Sequence, residues 1–149
     1  MNVFGLPLHP LVVHAVVIVV PLAAIGALLL VVLPRLRPAY GWLTVGFAVA
    51  GAASAIVARV SGQALAEDFG LTNSARVARH MTLGGWTPWP ALVLALSLAG
   101  FIWATRRRGE DRQVNLVRVS GALTFVAAIA SLVLVGLTGH AGATAVWGA

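Results

Sequence analysis

The sequence predicts an all-α fold, a four-transmembrane-helix bundle with both termini on the outer side of the membrane. Three observations carry this expectation. Of the 149 residues, 60% are hydrophobic and only 9% are charged, whereas a soluble domain carries about a quarter charged residues. The apolar residues form long runs rather than the half-apolar periodicity of a water-facing helix. The arginines gather in the two connections that share one side of such a bundle. A single integral membrane domain over residues 1–149 is expected, placed as a multi-pass protein in a bacterial cytoplasmic (inner) membrane.

The first span covers roughly residues 11–33, interrupted in polarity only by His14. As a helix it would extend roughly 34 Å, enough to cross about 30 Å of hydrocarbon. Pro10 suits a first helical turn, and Pro21 predicts a kink in the middle. The run lacks a basic n-region and exceeds the length of a signal-peptide core, so it stays as a membrane helix. The segment P-R-L-R-P-A-Y-G then permits only a tight hairpin into a second span over residues 42–60. Gly46, Ala50 and Ser54 of that span have the small-residue spacing that lets helices approach closely in lipid.

The stretch from Ser61 to Arg79 is the most polar and predicts a loop with a short helix, capped by Asn73 or Ser74, that runs through His80 into the third span. The third span covers residues 81–105, and Gly84, Gly85, Pro88 and Pro90 predict a break near its start. A basic connection follows, then a fourth span over residues 119–139 and the tail H-A-G-A-T-A-V-W-G-A. Arg35, Arg37, Arg106, Arg107, Arg108, Arg112 and Arg118 lie on one side, against Arg59, Arg76 and Arg79 on the other. The positive-inside rule puts the first set in the cytoplasm and both termini outside.

Several function classes are disfavoured. The net charge of +6 sits in short loops beside apolar runs, so it reads as a topology signal and not as a nucleic-acid surface. Cysteine is absent, which removes disulfides, iron–sulfur clusters, thiolate metal sites and covalently attached haem. No carboxylate lies inside a span, which argues against a pump built on buried acids, and no inverted repeat is evident. The tryptophans fall near span ends, as an aromatic belt does.

The remaining chemistry is histidine. His9, His14, His80 and His140 all fall at the outer end of the expected bundle. His14, His80 and His140 each project from a different span, and imidazoles on facing helices build cofactor or metal sites in a bundle. Two of the three would hold a b-type haem, with Arg76 and Arg79 as cations for its propionates. A compact Zn or Cu site of His14, His80 and His140 needs the same convergence without room for a macrocycle. Imidazoles that bond only to water, headgroups or carbonyls, with no cofactor, are the third reading. His9 precedes Pro10 and reads as a helix-start group. It differs from His14 by about 140° around a helix, so only one of the two can face a given cofactor.

These residues resemble an uncharacterised family of small bacterial four-helix membrane proteins that share a domain of unknown function. The resemblance lies in L-P-L-H-P-L-V-V-H (His9, Pro10, His14), in S-G-Q-A-L-A-E (Ser61, Gly62, Glu67), in His80 alone at the third helix, and in G-H-A-G (Gly139, His140, Gly142). It spans nearly the whole chain and implies the four-helix fold, not an activity. Family members often carry an aromatic residue and a proline after the second histidine, where this chain reads Ala15 and Val16, with Pro21 later.

The sequence thus points to a membrane haem b protein for electron transfer or redox sensing. Its partners would be the lipid bilayer and a redox partner, with homo-oligomers open. The alternative is a cofactor-free accessory or assembly subunit of a membrane complex, or the small Zn or Cu site. Reporter fusions test the orientation: a fusion after Arg108 is expected to behave as cytoplasmic and one after Ala149 as non-cytoplasmic, and the reverse pattern overturns it.

Overall fold

The computed structural model describes residues 2–3, 5–107 and 111–148. Arg108, named among the topology-setting arginines, lies outside the described residues. The helices are α1 (Leu8–Val32), α2 (Arg37–Asp68), α3 (Ala75–Trp86), α4 (Pro88–Arg106) and α5 (Asp111–Trp147). With α3 and α4 taken as one rod, they make four segments long and apolar enough to cross a membrane. A two-residue antiparallel pairing, Asn2 with Pro7 and Val3 with Leu6, precedes α1, and Gly5 turns it with φ 80°.

The helices outrun the expected spans. Ser61–Asp68, expected as loop, continues α2, and the tail continues α5 to Trp147. Both segments lack proline and contain alanine, so the polarity of S-G-Q-A-L-A-E-D marks the exit from hydrocarbon and not the end of the helix. The break in the third rod falls at Thr87. Pro88 and Pro90 have no N–H to give to the preceding turn, and just before them the Leu83 carbonyl accepts both the Thr87 backbone N–H at 3.2 Å and its hydroxyl at 3.1 Å. Ser74 caps α3 by accepting from the Val77 N–H at 3.5 Å.

At the opposite end, Pro34–Leu36 form one 3-10 turn between α1 and α2. Arg37 turns back over it, donating from Nε to the Leu30 carbonyl at 2.8 Å and from Nη2 to the Val31 carbonyl at 2.9 Å. Its guanidinium also lies 4.7 Å from the centre of the Phe101 ring. One side chain thus satisfies the open carbonyls of the α1 C-terminus and ties that end to α4. Arg106 and Arg107 lie over the exposed rings of Trp42 and Trp103.

Around the bundle the order is α1, α2, α4, α5, so that α1 lies diagonal to α4, and α3 packs on α5 and α2 at the end that holds both termini. The core is alanine-rich: Ala23, Ala24 and Ala27 of α1 and Ala127 and Ala128 of α5 join Leu98 and Ile102 of α4. Lipid tails are as apolar as a leucine core, so close backbone approach, not hydrophobic burial, holds such helices together. The small face of α2 that meets α1 is Ala48, Gly51, Ala52 and Ala55. Gly46 and Ala50, of the spacing singled out in the sequence, face outward.

An ideal Cβ on Gly51 would lie 3.0 Å from Val20 Cγ2 and 3.4 Å from Val20 Cα, whereas one on Gly46 meets nothing within 4 Å. Overpacking of this kind costs about 1–3 kcal/mol. Gly51→Leu is therefore expected to lower unfolding stability in detergent by that amount, while Gly46→Leu stays within about 0.5 kcal/mol of the parent. Equal losses in the two variants would show that the α1–α2 approach is not limiting.

Candidate functional site

The starts of α1 and α3 and the ends of α2 and α5 meet at the termini end of the bundle. His9 opens α1, and its Nδ1 lies 2.9 Å from the Ala58 carbonyl of α2. The Ser61 hydroxyl, which donates to the Val57 carbonyl at 2.7 Å, lies 3.4 Å from the same nitrogen. His80 on α3 repeats the arrangement, with Nδ1 3.0 Å from the Thr138 carbonyl of α5. A carbonyl only accepts, so Nδ1 carries a proton in each ring, and in the neutral imidazole it is Nε2 that has the lone pair. Among the described residues neither Nε2 has a hydrogen-bond partner.

The two ring centroids are 6.2 Å apart, with the planes at 76°. Both rings line a cavity of about 350 Å³. Its wall is largely apolar, with Val13, Val16, Ala55, Met81 and Val135, and its other polar lining comes from Arg59, Gln63, Thr87 and Thr138. The hydroxyls of Thr87 and Thr138 bond to each other at 3.1 Å, which keeps both satisfied beneath the rings. Gly62 and Gly142 lie close against the imidazoles of His9 and His80.

Of the cofactor-site residues expected from the sequence, His14, His80, His140, Arg76 and Arg79, His80 lines this cavity and the others do not. His14 is exposed, and its Nδ1 lies 2.6 Å from the Pro10 carbonyl of its own helix. Because His9 and His14 point about 140° apart, the helix that turns His9 inward turns His14 out. His140 is exposed. It stands two residues from both Thr138 and Gly142, which face the cavity, so about 200° of helix rotation points it away. His14, His80 and His140 are not brought together, and among the described residues no three histidine or carboxylate side chains gather to hold a metal ion.

The arginines are distributed in the same unexpected way. Arg76 is exposed and donates from Nη1 to the Gly148 carbonyl, pinning the α3 start to the end of α5. Arg79 is exposed and does not line the cavity. Arg59, which follows Ala58 on α2, does line it. His9 could have been found by helical periodicity, since His9, Val13 and Val16 share one face, whereas no sequence signal marked Arg59.

No curated protein and no solved structure matches this chain. A family model does match, over residues 5–149, and on that match the chain belongs to the family described as predicted membrane protein (DUF2231).

Proposed function

We propose that this protein holds one b-type haem between His9 and His80 and serves electron transfer or redox sensing in the membrane. The observation that carries the reading is the pair of imidazoles with each Nδ1 on a neighbouring helix carbonyl and each Nε2 left unbonded beside one cavity. Metal-ligating histidines nearly always donate their second nitrogen to a carbonyl or carboxylate, which fixes the tautomer and raises ligand basicity.

The donor set fits haem better than Zn or Cu. A structural zinc takes four protein ligands and a catalytic one takes three, while a b-type haem takes only one or two from the protein. His9 and His80, whose ring centroids stand 6.2 Å apart beside one cavity, would be the residues that hold it. Without cysteine the group is held non-covalently.

Haem, when bound, supplies a one-electron couple. The chain's own residues do the rest. The valine and alanine wall excludes water, which lowers the local dielectric around the ligating nitrogens. Arg59 offers the cation at the cavity that a carboxylate of the bound group needs. A second reading, the cofactor-free accessory subunit, draws support from the outward Gly46, Ala50 and Ala53 of α2, where another helix could approach closely.

An absorption spectrum of the purified protein separates these readings, with a Soret band expected for the first and a colourless protein for the second. In the same detergent, His9→Ala and His80→Ala are each expected to lose haem or become five-coordinate, while His14→Ala and His140→Ala match the parent. Full haem content in both His9→Ala and His80→Ala overturns the assignment.

For the cation, Arg59→Gln is expected to weaken haem retention several-fold, and the double variant Arg76→Gln/Arg79→Gln to leave it unchanged. The opposite ranking in a haem-transfer assay would move the carboxylate contact to α3.

A further inference from the structure

The cavity is lined twice over by one pattern. On the two histidine helices, His9 and His80, Val13 and Gly84, and Val16 and Thr87 line it in one shared register. On the two carbonyl helices the same holds for Ala55 and Val135, Ala58 and Thr138, and Gly62 and Gly142. Leu65 and Ala145 continue the match toward the helix ends. In each half the carbonyl that accepts from Nδ1 stands four residues before the glycine that lies against the ring.

Packing follows the same symmetry. α1 packs on α2 as the third rod packs on α5, and α1 meets α5 as α2 meets α4, which leaves the two histidine helices diagonal. Each half also runs in the same direction through the bundle, its histidine at the start of the first helix and its glycine near the end of the second. The relation is a parallel repeat about the bundle axis, of the kind known for parallel repeats about the membrane normal and distinct from an inverted one.

The glycines give this pattern a chemical meaning. Within the helix, the Gly62 N–H faces the Ala58 carbonyl and the Gly142 N–H faces the Thr138 carbonyl. A side chain at either glycine would cover that carbonyl. An ideal Cβ on Gly62 would lie 2.8 Å from His9 Cε1 and 3.0 Å from Nδ1, and one on Gly142 would lie 3.0 Å from His80 Cε1 and 3.1 Å from Nδ1. The space that glycine leaves is therefore the space the imidazole occupies.

We infer that the cavity is one histidine–carbonyl–glycine half-site built twice around the bundle axis, with Gly62 and Gly142 as equivalent positioning residues that present two imidazole nitrogens to opposite faces of a planar ligand. The inference deepens the haem reading and rests on it for the identity of the ligand. The halves differ at the rim, where Arg59 has Gly139 as its counterpart. Arg59 would thus be the cation that orients a ligand held between the two halves.

The test uses the full-length protein. Gly62→Ala and Gly142→Ala are each expected to shift the low-spin ferric EPR signal and the midpoint potential, and to weaken haem retention by roughly 10- to 100-fold, as loss of an outer-shell partner does. The effects should match in direction and size. Gly46→Ala and Gly100→Ala, where a Cβ meets nothing within 4 Å, should leave all three readouts unchanged. Parent-like EPR and potential in either folded variant overturn the inference while leaving the haem reading intact.

A parent protein that neither carries haem nor takes it up from added haemin overturns the haem reading instead. The half-site is then decided by ¹⁵N shifts of the imidazoles in the cofactor-free chain. Both His9 and His80 are expected as the Nδ1–H tautomer, with a change in each ring caused by its own glycine variant. An Nε2–H tautomer at either histidine, or a ring indifferent to its glycine, overturns it. The same spectra decide the matter should an alanine variant fail to fold.

Discussion

A helix carbonyl already bonded within its own helix has one lone pair left, and in this bundle the carbonyls of Ala58 and Thr138 give theirs to imidazoles on neighbouring helices. An imidazole inside an apolar bundle is costly unless its N–H is satisfied. The bond therefore fixes the rotation of α1 about its axis, since only the rotamer and helix phase that bring His9 to Ala58 avoid the penalty. It fixes α3 against α5 through His80 in the same way. Once both N–H groups are committed, the two ring nitrogens that remain have no protein partner among the described residues, and the cavity they border acquires its chemistry.

Alanine and glycine make that geometry reachable. The Ala23, Ala24 and Ala27 stripe of α1 and the Gly51 contact with Val20 bring α1 and α2 close enough for a histidine to reach the neighbouring backbone. A leucine-packed pair would sit farther apart, because interaxial distance follows the side chains at the contact. The Thr87 break contributes at the other half. It lets α3 leave the line of α4 and lean on α5, and the Thr87 hydroxyl, bonded to Leu83 and Thr138, closes the floor of the cavity without an unsatisfied polar group.

The four-rod fold was legible in the sequence because the hydrocarbon thickness fixes run lengths and the prolines at 88 and 90 mark the break. Helix ends were not legible, since residues such as Ser61, Gln63 and His140 leave the hydrocarbon long before the helix stops. The candidate site was legible only in part. That the histidines share one end followed from topology, and that His9 and His14 exclude each other followed from helix geometry. Which one faces inward depends on the phase of α1, and that phase is set by the Ala58 carbonyl, a backbone group that no side-chain pattern displays. Arg59 escaped notice for the same reason: its place at the cavity comes from lying next to Ala58, not from any motif.

The placement of the pair also limits what the protein can do on the haem reading. This chain's histidines are at 9, 14, 80 and 140 and its methionines at 1 and 81, with no cysteine. All four histidines and Met81 therefore lie at the termini end. The opposite half offers the arginines over Trp42 and Trp103 and a core of alanine, leucine and isoleucine that cannot ligate iron. A wire across the membrane would need a second redox group in that half, where the described residues offer no histidine or methionine. On that reading the histidine pair would exchange electrons at the termini end, with the apolar remainder of the bundle holding the two half-sites in register.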